Sequence, residues 1–169
     1  EAARRRIDSG SLLELGTGSG AVAVSLAHYL PEYRIEATDI SEEAVKVAGE
    51  NAERLGVAGR ITFYTGDLYS ALPDGKKHTY RGIISNPPYI PTAIIPTLSR
   101  EVRAEPVIAL DGGDDGLDFY RRIFSQAKEF LAPGGFLALE HGAGQFPPLK
   151  ELALLFGFIK VSSYKDVAG

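Results

Sequence analysis

A mostly parallel α/β sheet with helices on both faces is the fold class this sequence predicts, and three observations predict it. Short apolar runs alternate with helical patterns along the chain. The first run, Leu12-Leu13-Glu14-Leu15, passes directly into Gly16-Thr17-Gly18-Ser19-Gly20, a glycine-rich strand-to-helix turn. Asp39, Asp67 and Asn86 then stand at or just after the ends of later runs. Open parallel sheets bind ligands outside the carboxyl ends of their strands, so these four segments are expected to converge on one rim.

The elements follow in order. Leu12 to Leu15 is the first strand, and an apolar helix runs from about Ala21 to Leu30, stopped by Pro31. Arg34 to Thr38 forms the second strand with Asp39 at its end. Ser41 is the expected N-cap of the next helix, with Glu42 and Glu43 complementing the helix dipole in its first turn. Ala44, Ala48, Ala52 and Leu55 give that helix a small-residue face, and Gly56 stops it. Ile61 to Tyr64 is the third strand, and Pro73 to His78 reads as an exposed turn region. Tyr80 to Ser85 is the fourth strand, delivering Asn86 at its carboxyl end.

From Ile90 to Asp118 the pattern is broken by Pro91, Pro96, Pro106 and Gly112-Gly113, which predicts a long ordered loop with room for one short helix. Tyr120, Ile123, Phe124, Ala127, Phe130 and Leu131 form one helix face, closed by Pro133-Gly134-Gly135. Phe136 to Leu139 is the expected fifth strand. Leu149, Leu152, Ala153 and Phe156 mark a further helix, and Phe158 to Val161 a sixth strand.

At 169 residues the chain suits a single domain with a real core, so one catalytic domain over 1–169 is the expectation. A net charge of -4 argues against holding nucleic acid mainly through its phosphates. With no cysteine, disulfides, thiolate catalysis and cysteine-ligated zinc are excluded. No apolar run approaches the roughly 20 residues of a membrane span, and Glu1 to Arg6 lack the apolar core of a signal peptide, so a cytoplasmic protein away from membranes is expected. A chain without any methionine is expected to be part of something longer.

Gly16-x-Gly18-x-Gly20 lets the backbone approach a nucleotide or nucleoside closely. Asp39 falls about 20 residues later, where an acid that accepts both ribose hydroxyls belongs. Asp67 suits the exocyclic amine of adenine, with Leu68 covering the ring face. These residues alone do not separate NAD from S-adenosylmethionine, and a tight strand-to-helix turn with no ligand is the weaker alternative given the acid that follows.

Asn86-Pro87-Pro88-Tyr89 suits the capture of an amide-type nitrogen. Asn86 offers a carbonyl acceptor, the prolines fix φ and remove backbone donors, and Tyr89 adds a flat ring. A rigid turn after a strand is the plainer reading of the same four residues.

Glu14-Leu15-Gly16-Thr17-Gly18-Ser19-Gly20 resembles the first motif of class I S-adenosylmethionine-dependent methyltransferases, and Ser85-Asn86-Pro87-Pro88-Tyr89-Ile90 the fourth motif of those acting on amino groups. Glu101 to Pro106, Ala109 to Gly113, Gly116-Leu117 and Leu139-Glu140-His141-Gly142 narrow the likeness. Together they resemble the protein-(glutamine-N5) methyltransferases that modify peptide chain release factors, often called HemK/PrmC.

The resemblance implies a Rossmann-like class I methyltransferase fold, with S-adenosylmethionine as methyl donor and S-adenosylhomocysteine as product. It implies cofactor-binding roles for Glu14, Gly16, Thr17, Gly18, Gly20, Asp39, Ile40, Asp67, Leu68 and Asn86. Asn86 and the Pro87 carbonyl would accept hydrogen bonds from a glutamine amide, Tyr89 would pack against it, and Pro88 and Glu105 would shape the substrate pocket. The implied partner is a release factor, met by a monomer that forms no stable nucleic-acid complex. The family's helical N-terminal domain is expected to be absent here, and its final antiparallel strand to lie beyond Lys165 to Gly169.

Other signals are weaker. Asp111, Asp114, Asp115 and Asp118 do not fit a calcium loop, since Gly113 and Arg122 occupy ligand positions. His28, His78 and His141 have no metal-ligand spacing, so no metal is expected, and His141 reads as structural. The rival readings are an N6-adenine or related nucleic-acid methyltransferase, an NAD-dependent oxidoreductase, and a non-catalytic nucleotide-binding module.

Overall fold

The computed structural model describes residues 10–164. The expectations for Glu1 to Arg6 and for Lys165 to Gly169 lie outside the described residues. The described residues divide into two compact units, one of residues 10–85 with 129–138 and one of residues 86–128 with 139–164.

The first unit is built on a sheet of β1 (Ser11–Leu15), β2 (Arg34–Asp39), β3 (Ile61–Thr65), β4 (Tyr80–Ser85) and β5 (Leu131–Leu139). Its order is β3-β2-β1-β4-β5, with β1 parallel to β2 and β4, and β2 parallel to β3. Strand order therefore reverses at β1, where the chain runs outward first to one side and then to the other. That reversal is the topological switch point at which doubly wound sheets open a ligand crevice.

Leu15 pairs with Thr38 on one side and Ser85 on the other, so β1, β2 and β4 finish level. The Ser85 hydroxyl donates to the Leu15 carbonyl at 2.7 Å, which ties the last residues of β1 and β4 together. Leu13, Leu15, Ile35 and Ile83 are essentially inaccessible. Burying each contributes about 2 kcal/mol, and near-continuous apolar strands of this kind belong to sheets covered on both faces.

Helix α1 (Ala21–Tyr29) and helix α2 (Glu42–Arg54) flank this sheet. Ala23, Val24 and Ala27 of α1 pack with Leu12, Ile35, Ala37 and Ala52 in one core cluster. Ser41 caps α2 as expected, its Oγ accepting the Ala44 N–H at 3.2 Å. Ala48 and Ala52 are fully buried, but Leu55 is 57% exposed. The helix ends at Arg54, leaving Leu55 as the C-cap and off the apolar face.

Two expectations are corrected at the chain's later elements. β5 begins at Leu131 and runs through Pro133-Gly134-Gly135, which the sequence suggested would only close the preceding helix. β5 is the edge strand, where a proline costs no ladder hydrogen bond that the sheet requires.

Phe158 to Val161 forms no strand. The Phe158 N–H instead donates to the Ala153 carbonyl in the C-terminal cap of helix α4 (Phe146–Leu155), and Ile159 is 87% exposed. The segment's first donor serves a helix end, and its apolar side chains lie outside any sheet face.

The second unit carries α3 (Asp118–Phe130), α4 and the segment 86–117, which is ordered by three short 3-10 turns at Thr92–Thr97, Val102–Ala104 and Val107–Ala109. Tyr120, Ile123, Phe124 and Ala127 of α3 are buried, as their spacing predicts. Phe124 meets the Phe156 ring at 6.2 Å and the Phe158 ring at 5.5 Å, giving this unit an aromatic centre.

Candidate functional site

The glycine turn after β1 is held by two acids. Glu14 Oε2 accepts the Thr17 hydroxyl at 2.6 Å and the Ala23 N–H at 3.0 Å, drawing the turn and the first turn of α1 onto the strand end. Glu14 and Thr17 are both buried. Burial pushes the Glu14 carboxyl up to about 7, against the two hydrogen bonds that favour its charge; the nearby Asp39 charge adds a little to the rise.

Asp39 fastens the other side. Its Oδ2 accepts the Gly18 N–H at 2.8 Å, and its Oδ1 accepts the Ser41 N–H at 2.9 Å. The Gly16 and Thr17 N–H groups both donate to the Thr38 carbonyl, at 2.8 and 3.0 Å. Each carboxylate oxygen of Asp39 accepts one bond and retains capacity for another, which is what a ribose diol requires.

Ile40, beside Asp39, is an exposed apolar side chain at 54%. Gly66 donates to the Asp39 carbonyl at 2.7 Å, which brings the end of β3 to the same rim. Asp67 precedes the 3-10 turn Leu68–Ala71, and its carbonyl accepts the Ser70 N–H and hydroxyl at 3.0 and 2.6 Å. Leu68 is buried and holds a left-handed backbone at φ 48°, a strained state for a leucine of the kind found at ligand sites.

The first unit therefore gathers Glu14, Gly16, Thr17, Gly18, Gly20, Asp39, Ile40, Asp67 and Leu68 around three neighbouring strand ends. Sequence reasoning missed Asn51, whose Nδ2 donates to the Ser19 carbonyl at 2.8 Å from α2. The available signal was an amide among the charged residues of an otherwise exposed helix face.

The second unit holds Asn86-Pro87-Pro88-Tyr89, which begins at the residue after Ser85 of β4. Asn86 is exposed, Pro87 buried, and Pro88 and Tyr89 half-buried. The Tyr89 phenol is held above its ordinary range by burial first, then by the charges of Glu140 and Glu105. Glu105 itself is exposed, directly after the turn Val102–Ala104.

The strand-like end of this segment is pinned by its own unit. Ile90 N–H donates to the Leu110 carbonyl at 3.0 Å, and Gly112 N–H donates to the Ile90 carbonyl at 2.9 Å. The sequence also missed Gln145, whose Nε2 donates to the Tyr89 carbonyl at 2.9 Å.

The acidic cluster is occupied locally. Asp111 accepts from the Thr92 hydroxyl and Gly113 N–H, and Asp115 pairs with Arg121. Among the described residues no group of acids and histidines is arranged to hold a metal ion. His141 contacts the Gly142 carbonyl and the Ser163 hydroxyl through its two ring nitrogens.

A doubly wound sheet with a glycine turn tied to acids at the ends of β1 and β2 is an arrangement shared by the α/β folds that bind nucleotides and nucleosides. The solved methyltransferase of Pyrococcus furiosus shares this fold, with a TM-score of 0.69 over 94% of this chain and 70% of that one, at 22% identity. The ribosomal protein L11 methylase of Lactobacillus delbrueckii superposes at 0.60 over 90% and 62%, at 23% identity.

The chain belongs to the methyltransferase small domain family, whose profile matches residues 2–96. The release factor glutamine methyltransferase of Moorella thermoacetica is 50% identical over 160 residues, covering 93% of this chain and 56% of that protein. Its counterpart in Geobacter sulfurreducens is 43% identical, covering 100% and 58%. The ribosomal protein uL3 glutamine methyltransferase of Bradyrhizobium diazoefficiens is 43% identical, covering 79% and 41%. The chain spans little more than half the length of the first two relatives.

Proposed function

We propose that residues 1–169 act as one catalytic domain, transferring a methyl group from S-adenosylmethionine to the side-chain amide nitrogen of a glutamine in a peptide chain release factor. The observation that carries the reading is the presentation of Asn86, an exposed amide placed one residue beyond a buried strand and followed by two residues without N–H groups. The likeness to release factor glutamine methyltransferases supports the choice of a glutamine amide over an adenine amine. Membership of a methyltransferase family supports S-adenosylmethionine over NAD.

The residues of the first unit fit that donor. A Cβ built on Gly18 meets nothing within 4 Å, so the turn leaves open space above its backbone. Asp39 would accept the ribose hydroxyls, Ile40 and Leu68 would cover the adenine faces, and Asp67 would accept its amine. When bound, S-adenosylmethionine supplies an electrophilic methyl on its sulfonium sulfur and departs as S-adenosylhomocysteine.

The chain's own residues prepare the acceptor. An amide nitrogen is a poor nucleophile because its lone pair is delocalised into the carbonyl. Asn86 Oδ1 and the Pro87 carbonyl, accepting its two hydrogens, would hold it pyramidal with the lone pair directed outward. Alignment of this kind supplies a large share of rate enhancement. Tyr89 would cover one face of the amide plane. The nitrogen gains the methyl and loses one hydrogen as a proton to solvent, so no general base is assigned. This reading carries a monomer working in the cytoplasm, where release factors act.

Transfer of labelled methyl to a release factor tests it. Asn86→Ala is expected to lower kcat by about a hundredfold or more. Full activity in that variant removes the mechanism, and labelling of RNA or DNA alone moves the reading to an adenine amine. The likeness to a uL3 glutamine methyltransferase favours one second reading, a glutamine in ribosomal protein uL3, and the same assay with uL3 as acceptor decides it.

A further inference from the structure

We propose that Gln145 is a positioning residue for methyl acceptance, its carboxamide fixing the Tyr89 end of Asn86-Pro87-Pro88-Tyr89; the inference rests on the proposed glutamine methylation. Gln145 is the N-cap of α4, yet it makes no capping hydrogen bond with its side chain. An N-cap side chain normally accepts from the second or third backbone N–H of its helix. Here those positions are Pro147 and Pro148, which have none. The Gln145 carboxamide is thereby released for work outside its helix.

It faces the acceptor segment instead. Nε2 donates to the Tyr89 carbonyl at 2.9 Å and reaches the Gly116 carbonyl at 3.4 Å, while Oε1 accepts the Gly142 N–H at 2.9 Å. One planar group thus links three segments that are far apart in sequence. The space around it is filled from both sides. A Cβ on Gly142 would lie 2.9 Å from Gln145 Oε1 and 3.2 Å from the Tyr89 ring. A Cβ on Gly116 would collide with the Tyr89 carbonyl and stand 2.8 Å from Gln145 Nε2.

Tyr89 is therefore held through both its carbonyl and its ring edge. Three residues upstream, Asn86 is exposed, and the two prolines between them restrict the backbone. Fixing Tyr89 fixes the orientation in which that rigid segment presents Asn86 and the Pro87 carbonyl. A displacement of about 1 Å at such a site costs on the order of a hundredfold in rate.

The donor-and-acceptor pattern gives a test that a merely structural role would not pass. Gln145→Ala is expected to leave S-adenosylmethionine affinity unchanged by calorimetry while kcat for glutamine methylation falls by about ten- to a hundredfold. In Gln145→Glu the ionised carboxylate has no hydrogen for the Tyr89 carbonyl, whereas the protonated acid supplies an O–H donor and keeps an acceptor for Gly142. Its kcat relative to wild type is expected to rise as pH falls through the ionisation of that new carboxyl. Hydrogen exchange of the Ile90 and Gly142 amides is expected to quicken in Gln145→Ala while exchange in α1 does not. Wild-type protein that fails to methylate glutamine would sink the functional reading, and the exchange data would still decide whether Gln145 fixes Tyr89. Unchanged exchange, or quickened exchange with a wild-type kcat, overturns the proposal.

Discussion

The Thr17 hydroxyl donates to Glu14 Oε2 at 2.6 Å, and the same oxygen accepts the Ala23 N–H at 3.0 Å. A single buried carboxylate oxygen thus joins the end of β1, the middle of the glycine turn and the start of α1. Charge in the centre of a parallel sheet is costly, and this one organises the glycine turn.

Stability should carry the signature of that carboxyl. Its folded value of about 7 lies above the ordinary value of 4.5, so the folded state keeps a proton that the unfolded chain has released. The contribution is fully present below about pH 4.5 and is lost as pH rises towards 7, a fall of roughly 3 kcal/mol. Thermal unfolding across this range should show wild-type Tm falling relative to Glu14→Gln, which does not titrate. Parallel pH profiles for the two proteins would assign the effect to another group.

Asp39 is expected to serve ribose and loop together. Asp39→Asn keeps an oxygen acceptor but replaces the other by an NH2 group, which cannot accept from either the Gly18 or the Ser41 N–H. Losing a charge-assisted acceptor costs about 1.5–3 kcal/mol, so S-adenosylmethionine affinity should weaken by about ten- to a hundredfold. Calorimetry measures it directly, and an unchanged Kd would remove Asp39 from the nucleoside site.

Tyr89 is expected to act through its ring. Burial and two nearby acids hold the phenol above its ordinary range, so the hydroxyl is neutral at any working pH and no proton need pass through it. Tyr89→Phe should keep kcat within about threefold, while Tyr89→Ala should lose about tenfold or more through the missing apolar cover. A large loss in the phenylalanine variant would give the hydroxyl a direct role.

The architecture was legible where apolar runs were bounded by strong punctuation. Tyr80 to Ser85 was placed at its observed bounds, and Ser41 as a cap, because each rests on local chemistry. Pro133-Gly134-Gly135 misled because the same residues break a helix and are tolerated in an edge strand, and only the sheet order tells which applies. Phe158 to Val161 misled because Phe158 serves a helix cap and an aromatic cluster while Ile159 is left exposed. The glycine turn and Asp39 announced themselves through spacing. Gln145 did not, since its partner Tyr89 lies 56 residues away, and the one local clue was a pair of prolines that left an N-cap nothing to cap.

Two glycines of the turn should fail in opposite ways. Gly18 and Gly20 both hold left-handed backbone, at φ 54° and 82°, so alanine at either costs about 1 kcal/mol or more in conformation alone. Beyond that they differ. A Cβ on Gly20 would stand 2.9 Å from the Ala48 Cβ and 3.0 Å from the Ala48 Cα, where α2 has no flexible side chain to yield. A Cβ on Gly18 would meet no protein atom within 4 Å and would project into the space assigned to the methyl donor. Gly20→Ala is therefore expected to lower Tm by separating α2 from the turn, with cofactor affinity falling only as folded protein is lost. Gly18→Ala is expected to unfold within a few degrees of wild type while S-adenosylmethionine affinity drops by about tenfold or more. Thermal unfolding and calorimetry on the two variants separate these outcomes, and wild-type affinity in Gly18→Ala would show that the open face of the turn is not where the donor sits.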